Sequence, residues 1–174
     1  MQLVPTLIPG AFVVELEPVA DERGSFARSF DAAAFLAAGL DARVAECSVS
    51  QTRQRGTLRG LHYQAAPHQE AKLIRVTRGR LWDVIVDLRK GSPGYLRHFS
   101  LQLSSSEPRL LYAPPGCAHG FLTLEDDVEV AYQMSEPYRA ELARGVRWDD
   151  PALRIAWPEV PLLVSARDRD WPLL

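Results

Sequence analysis

Apolar and polar residues alternate with a period of two along most of the chain, and Gly and Pro interrupt this alternation at short intervals. Alternation over short runs is typical of half-buried β-strands, whereas an amphipathic helix repeats about every 3.6 residues. The pattern predicts a first strand at 12–16 and further strands at 44–50, 57–64, 72–78, 81–88, 96–103, 109–113, 119–124, 128–134 and 145–148. Strands at roughly ten-residue spacing favour an all-β jelly roll over a βαβ arrangement.

One helix interrupts the alternation at 31–38. Its alanine-rich run follows Asp31, whose side chain can accept hydrogen bonds from free backbone amides, and it stops at Gly39.

The proline-rich tail beyond residue 150 contains too much Trp, Leu and Val to be disordered, so we expect it to pack on the barrel. That packing would let Asp168 reach a site distant in sequence. We expect 1–174 to form a single jelly-roll domain, because 174 residues suffice for one real core.

The charge pattern argues against several classes of partner. The formal net charge is -2 at pH 7 with acids and bases mixed along the chain, so there is no basic stripe for nucleic acid and no polybasic segment for a membrane surface. Apolar runs are far shorter than the roughly 20 residues of a spanning helix, and the first residues lack a signal-peptide pattern. We therefore expect a soluble, cytoplasmic protein that acts on a small molecule.

Cys47 and Cys117 form no CxxC pair, which indicates two plain thiols.

The stretch 56–72 places an arginine, a histidine and a lysine inside an otherwise apolar predicted sheet. Charged side chains are rarely placed there for packing alone, so this stretch is a candidate site. Alternation puts Lys72 on the face of Ile74 and Val76. Two interpretations follow: a cation aimed at charge that develops on a substrate, or a side chain that reaches from the strand end into water.

His62 shares a predicted strand face with Leu58, Gly60 and Gln64. Histidine titrates near neutral pH, and a carboxylate on its far nitrogen would orient it as a general base; the alternative is a rim or core residue with both nitrogens satisfied. Arg59 falls on the opposite face by strict counting, unless a bulge at Gly60 redirects one of the two side chains. Its guanidinium suits a diphosphate, and the alternative is a surface salt bridge.

Two tyrosines are further candidates. Tyr132 shares its face with Val128 and Val130, so it is either a core residue with a tied hydroxyl or a proton donor that faces a base. Tyr138 follows shortly after and can stack on a sugar or a nucleobase, or can serve packing alone. The sequence leaves both alternatives open for each residue.

His119 stands at a strand mouth, where metal-binding jelly rolls carry a ligand. The other half of such a metal pattern is missing, because no second histidine follows two residues after His62. Only His68 and Glu70 remain as makeshift ligands. A hydrogen-bonding role for His119 is therefore favoured over a metal site.

Several ordered blocks of the sequence resemble the dTDP-4-dehydrorhamnose 3,5-epimerase family. The blocks are GTLRGLHYQ at 56–64, KLIRV at 72–76, DVIVDLR at 83–89, PPGCAHGF at 114–121, Tyr132 and Tyr138, GVRWDDP at 145–151 and SARD at 165–168. The resemblance covers about residues 21–168. So many blocks in one order are far more specific than a single short motif.

The resemblance implies a metal-free cupin jelly roll without a cofactor, usually a homodimer that exchanges N-terminal strands. It also implies proton transfer beside the C4 ketone of a nucleotide-linked 4-keto-6-deoxyhexose, at C3, C5 or both. By similarity, His62 removes the proton, Asp168 orients His62, Lys72 stabilises the enolate oxygen and Tyr132 returns a proton from the opposite face. The implied substrate-binding residues are Arg59 at the diphosphate, Arg23 and Phe26 at the nucleotide of the neighbouring subunit's site, and Gln64, His119 and Tyr138 in the cavity.

Two departures from the family pattern bear on the substrate. Arg28 stands where many members carry a glutamate, and the segment 47–55 lacks their asparagine-containing run and is one residue longer. Both regions contact the nucleotide in the family, so the nucleobase and the sugar stay open although the catalytic positions are intact. A metal-dependent cupin oxygenase or isomerase and a non-catalytic sugar-nucleotide binding module also stay open as alternatives.

Overall fold

Two main β-sheets and two short helices make up the chain, and a computed structural model describes all residues from 1 to 174. The strands are β1 (Gln2–Pro5), β2 (Phe12–Glu15), β3 (Val19–Asp21), β4 (Gly24–Phe26), β5 (Glu46–Thr52), β6 (Thr57–Gln64), β7 (Lys72–Arg78), β8 (Arg80–Asp87), β9 (His98–Ser104), β10 (Arg109–Ala113), β11 (Cys117–Thr123), β12 (Val128–Met134), β13 (Ala143–Gly145) and β14 (Leu163–Val164). The helices are α1 (Ala32–Ala37) and α2 (Ala166–Arg169), with a 3₁₀ turn at Ala140–Leu142. Neither α-helix is long and apolar enough to cross a membrane.

The two sheets pack face to face around a shared apolar core. The first sheet has the strand order β1-β2-β10-β7-β12-β5, and the second has β13-β6-β11-β8-β9. Inward side chains of both sheets, such as Ile74 of β7 and Ile85 of β8, belong to one cluster of 14 buried residues. Their sequence neighbours point to the outer faces, because side chains alternate along a strand. The architecture is the all-β jelly roll that the alternation predicts.

Different parts of the chain cover the outer faces of the two sheets. Helix α1 packs Phe35 against Leu73 of the first sheet. Asp31 caps this helix, because its carboxylate accepts hydrogen bonds from two backbone amides of the first turn. The C-terminal tail covers the second sheet and packs Leu153 in one cluster with Val84. Both the capped helix and the packed tail agree with the expectations from sequence.

Alternation predicts the long strands well and the shortest strands not at all. The observed bounds equal the predicted ones at 57–64, 72–78, 109–113 and 128–134, and five other strands differ by one or two residues at an end. The strand predicted at 145–148 is wrong, since pairing with β6 is regular only over Ala143–Gly145. Strands β1, β3, β4 and β14 are missed because two to four residues are too few to carry a period.

A bulge in β6 brings two side chains to the same face. Gly60 has φ of +135°, and the register between β6 and β11 shifts beside it. A Cβ atom on Gly60 would lie 2.5 Å from the Cα of Gly120, so only glycine fits. Arg59 and His62 consequently line the same cavity, although strict alternation would separate them. The bulge at Gly60 is the alternative that the sequence leaves open for Arg59.

Because of this close approach, we expect Gly60→Ala to lower the free energy of unfolding by about 2 kcal/mol. Gly91→Ala is the matched control, since its Cβ meets nothing within 4 Å. Urea unfolding curves of the two variants and the wild type measure the difference. Equal midpoints for Gly60→Ala and Gly91→Ala would contradict the assigned strain.

Candidate active site

A cavity of about 320 Å³ opens between the two sheets at one end of the jelly roll. The second sheet contributes Arg59, His62, Tyr63, Gln64, His119, Phe121, Ala143 and Arg144, and the first contributes Ser48, Ser50, Lys72, Tyr132 and Met134. The remaining lining residues are Glu70, Tyr138 and Arg167. The strands of two facing sheets therefore present polar groups to one open cavity.

His62 and Asp168 form the first histidine–carboxylate pair of the cavity. Nε2 of His62 lies 2.6 Å from Oδ1 of Asp168, and the other carboxylate oxygen accepts a hydrogen bond from the Gly60 amide. Ser165 caps α2 and accepts from the Asp168 amide, which fixes the helix that carries the carboxylate. The structure gives Nδ1 of His62 no protein partner, and the half-exposed side chain lines the cavity. The tail thus brings Asp168 to the distant site, as expected.

Two opposing effects act on the Asp168 carboxyl. Its burial raises the pKa, but the hydrogen bonds from His62 and from the Gly60 amide outweigh this effect and hold the pKa below its usual value. Asp168 is therefore ionised at neutral pH. A carboxylate at Nε2 orients the imidazole, which leaves Nδ1 as the nitrogen of His62 that can accept a proton.

A second histidine–carboxylate pair lies deeper in the wall. Nε2 of His119 is 2.5 Å from Oδ1 of Asp83, and both side chains are buried. This contact confirms a hydrogen-bonding role for His119. Sequence reasoning misses Asp83 as a site residue, although an aspartate inside an apolar strand is a signal that a buried partner exists. Oδ2 of Asp83 has no partner.

The makeshift metal ligands considered from sequence do not come together. His68 lies 3.2 Å from Glu136, whereas Glu70 pairs with Lys72. No group of three or more His, Cys, Asp or Glu side chains in the chain is arranged to hold a metal ion. The side chains around His119 therefore fit a hydrogen-bonded pair better than a metal centre.

Lys72 points into the cavity instead of reaching out to water. Only 12% of its side chain is exposed, and Nζ lies 3.0 Å from a carboxylate oxygen of Glu70. Nζ also donates a hydrogen bond of 3.2 Å to the backbone carbonyl of His62. The geometry therefore supports a cation directed at the cavity, and not a side chain that reaches from the strand end into water.

Tyr132 enters the cavity from the first sheet and packs against the core. Its ring lies edge-on to His119 with 5.9 Å between the ring centroids. Burial raises the pKa of the phenol, the nearby Asp83 carboxylate raises it further, and the Arg59 guanidinium opposes them only in part. The hydroxyl therefore keeps its proton across the physiological range. A protonated phenol in this position can donate to a reacting carbon.

The other cavity residues predicted from the sequence differ in how many of their polar groups are already bonded within the protein. Arg59 is steadied by a hydrogen bond from Nε to Thr52, and Tyr138 stands at the mouth with 60% of its surface exposed. Gln64 is not free, because its amide donates to the carbonyls of His68 and Pro137 and accepts from the amide of Arg139. Gln64 therefore stabilises the backbone segments around the cavity. Its direct contact with substrate stays a prediction.

Arg23 and Phe26 lie outside the cavity of their own chain. They belong to the β3–β4 hairpin, where Phe26 is 79% exposed. Arg28, the departure noted in the sequence, forms an ion pair of 2.7 Å with Asp31 at the start of α1. Neither Arg23 nor Phe26 therefore reaches the cavity of its own chain, and a contact of either with substrate stays a prediction.

The sequence does not predict the cavity residue Arg167 or its neighbour Trp171. Arg167 lies beside Asp168 on α2 and stacks over the ring of Trp171, with 5.2 Å from its guanidinium carbon to the ring centroid. The Trp171 ring also lies edge-on to His62, with 6.4 Å between centroids. Only the packing of the tail brings these side chains to β6, so no local pattern identifies them.

Comparison with known proteins gives a consistent match over nearly the whole chain. The family model described as dTDP-4-dehydrorhamnose 3,5-epimerase matches residues 5–174. The dTDP-4-dehydrorhamnose 3,5-epimerase of Methanothermobacter thermautotrophicus is 42% identical over 173 residues, which cover 98% of this chain and 92% of the relative.

Two solved structures are also closely similar. The dTDP-4-dehydrorhamnose 3,5-epimerase of Bacillus anthracis, with TDP and PPi bound, superposes with a TM-score of 0.94 at 38% identity and 99% coverage of both chains. A 3'-monoepimerase of Streptomyces bikiniensis in complex with dTDP-quinovose superposes with a TM-score of 0.89 at 35% identity, covering 97% of this chain and 86% of the other.

The lowered pKa of Asp168 leads to a pH-dependent stability. A carboxyl whose folded-state pKa is lowered stabilises the fold fully above its ordinary pKa of about 3.9, and this contribution disappears as the pH falls through the folded-state value. The difference in free energy of unfolding between the wild type and Asp168→Asn should therefore be larger at pH 6 than at pH 3. Urea unfolding at the two pH values measures it, with the uncharged change Gly91→Ala as control. An equal difference at both values would contradict the pairing.

Proposed function

The chain belongs to the dTDP-4-dehydrorhamnose 3,5-epimerase family, and on that basis we propose that it inverts C3 and C5 of a dTDP-linked 4-keto-6-deoxyhexose, with His62 as the base and Tyr132 as the acid. The observation that carries this proposal is the pairing of a carboxylate-oriented histidine on one sheet with an inward, protonated tyrosine on the facing sheet. Lys72 lies in the same cavity. A base, an acid on another wall and a cation are what enolisation next to a ketone requires.

The chemistry begins with the hydrogen on C3 or C5, which is acidic because the adjacent C4 carbonyl accepts the electron pair. His62 takes this proton at Nδ1, and the resulting imidazolium is stabilised by Asp168. The enolate oxygen at C4 gains negative charge, which the Lys72 ammonium offsets. Tyr132 then donates its proton to the other face of the same carbon, which inverts the centre. His62 and Tyr132 afterwards exchange protons with solvent, so that each turnover starts from the same state.

The cationic rim supports a nucleoside diphosphate as the rest of the substrate. Arg59, Arg144 and Arg167 all line the cavity, and guanidinium groups match phosphate oxygens in charge and in planar geometry. Tyr138 at the mouth presents an exposed ring on which a nucleobase can stack. We place this activity in the cytoplasm, where nucleotide-linked sugars are made.

We also propose a homodimer in which each chain completes the cavity of its partner. The β3–β4 hairpin leaves Val19 and Phe26 more than 70% exposed, at 74% and 79%, and it carries Arg23 away from its own cavity. Strand β5, which lines the cavity through Ser48 and Ser50, is an open edge of the first sheet. An exposed apolar hairpin and an open edge strand are features that a second copy can cover.

Proton exchange with solvent tests the catalytic roles. In heavy water the wild type should incorporate deuterium at C3 and C5 of a dTDP-linked 4-keto-6-deoxyhexose, and His62→Asn should reduce this incorporation by about 10²-fold or more. Tyr132→Phe should keep exchange with retention at a centre that His62 reaches, yet lose most inversion. Proton NMR of the sugar ring follows both exchange and stereochemistry.

The same experiment separates the alternatives. Exchange and inversion confined to one centre would assign a monoepimerase instead. Absence of exchange with any nucleotide-linked keto sugar, despite measurable binding of dTDP, would overturn the proposal in favour of a non-catalytic binding module.

Mixed dimers test the shared cavity. Arg23→Ala and His62→Asn should each be weakly active alone, but a co-refolded equal mixture should regain about a quarter of wild-type activity, because half of the dimers are mixed and each has one intact site. If Arg23 acts in its own chain, the mixture will show only the average of the two variants.

A further inference from the structure

One carboxylate faces a cavity whose other charged lining groups are cationic. Glu70 lines the cavity together with Arg59, Lys72, Arg144 and Arg167. A negative charge at this place opposes the entry of an anionic diphosphate and lies close to where enolate charge develops. The proposed mechanism assigns no step to Glu70. The presence of its negative charge in this cavity therefore needs another explanation.

We propose that Glu70 is a positioning residue for Lys72, an inference that rests on the proposed function of the cavity. The two side chains form an ion pair at 3.0 Å, and each is only 12% exposed. Lys72 also donates to the carbonyl of His62, which is the catalytic base. An ammonium group has three N–H donors, and the only hydrogen bond that Lys72 donates within the protein goes to the His62 carbonyl, so the ion pair with Glu70 orients the group while donors stay available for a substrate oxygen.

The position of Glu70 is itself well determined. The amide of the next residue, Ala71, donates to the hydroxyl of Ser135 at 2.8 Å, and the Ser135 amide donates back to the Ala71 carbonyl at 3.0 Å. Ser135 and Ala71 are both buried. The backbone that carries Glu70 is therefore fixed to the end of β12, the strand that also presents Tyr132.

Holding Lys72 from two sides has a catalytic consequence. A lysine side chain has four rotatable bonds to its ammonium group. An unrestrained lysine must be oriented during the reaction, and the cost of this reorientation reduces its stabilisation of the enolate charge. Glu70 and the His62 carbonyl together keep Nζ beside the base before substrate arrives. We therefore expect Glu70 to affect the rate of enolisation more than the binding of the nucleotide.

Glu70→Gln tests this role, because it removes the charge and keeps the shape. We expect kcat for deuterium exchange to fall about tenfold to a hundredfold, while KM stays within about threefold. Glu125→Gln is the matched control, since it removes one acid that pairs with Arg80 outside the cavity. A raised KM with unchanged kcat would overturn the proposal and identify Glu70 as a direct substrate ligand.

A double-mutant cycle distinguishes action through Lys72 from independent action. Lys72→Met should be slow, and adding Glu70→Gln to it should cause no further loss. Losses that multiply would show that Glu70 works without Lys72, and would overturn the inference.

A readout without turnover separates this inference from the proposed function. Lys72 and Lys90 are the only lysines of the chain, and Lys90 is exposed. In protein labelled with ¹⁵N-lysine, the Lys72 ammonium should give a slowly exchanging signal that broadens in Glu70→Gln and persists in Glu125→Gln. An unchanged signal in Glu70→Gln would overturn the positioning role, even if the wild type proved inactive on keto sugars. Conversely, a lost signal with an inactive wild type would overturn only the proposed function.

Discussion

The hydrogen bond between His62 and Asp168 is the contact on which the rest of the cavity depends. It joins the C-terminal helix α2 to the middle of β6, and the same carboxylate holds the amide of Gly60 at the bulge. Because a buried carboxylate is costly without partners, this one aspartate needs the histidine, the bulge and the tail to be in place together. The orientation of the base and the path of the tail are therefore consequences of one buried charge.

The fold was predictable from sequence wherever a strand is long enough to show its period. Strands β7, β10 and β12 follow directly from alternation, since each turns alternate residues toward the shared core, whereas β6 keeps its predicted bounds although the bulge at Gly60 interrupts its alternation. The short strands depend on partners far away in the chain, so no local pattern identifies them. Val146 illustrates the limit: it looks like part of a strand and does bond to Leu61, but outside a regular ladder.

The site was predictable as a set of residue types but not as a set of pairs. The inward faces of Lys72 and Tyr132 follow from alternation, and the resemblance to a family adds Asp168, which no spacing rule would connect to His62. The pairing of His119 with Asp83 depends on the register between β8 and β11, and that of Lys72 with Glu70 depends on the path of a loop. Register and loop path are set by tertiary packing, which a single sequence does not display.

The hydrogen bond from Lys72 to the carbonyl of His62 crosses from the first sheet to the second. The contact holds the ammonium group beside the base from the facing sheet, so the protein sets the spacing of base and cation. In a hexose ring, C3 and C5 are arranged almost symmetrically on either side of the C4 carbonyl. A base and a cation at fixed spacing can serve either carbon if the sugar turns about its carbonyl bond. The ligand, and not the enzyme, would then make the movement between the two inversions.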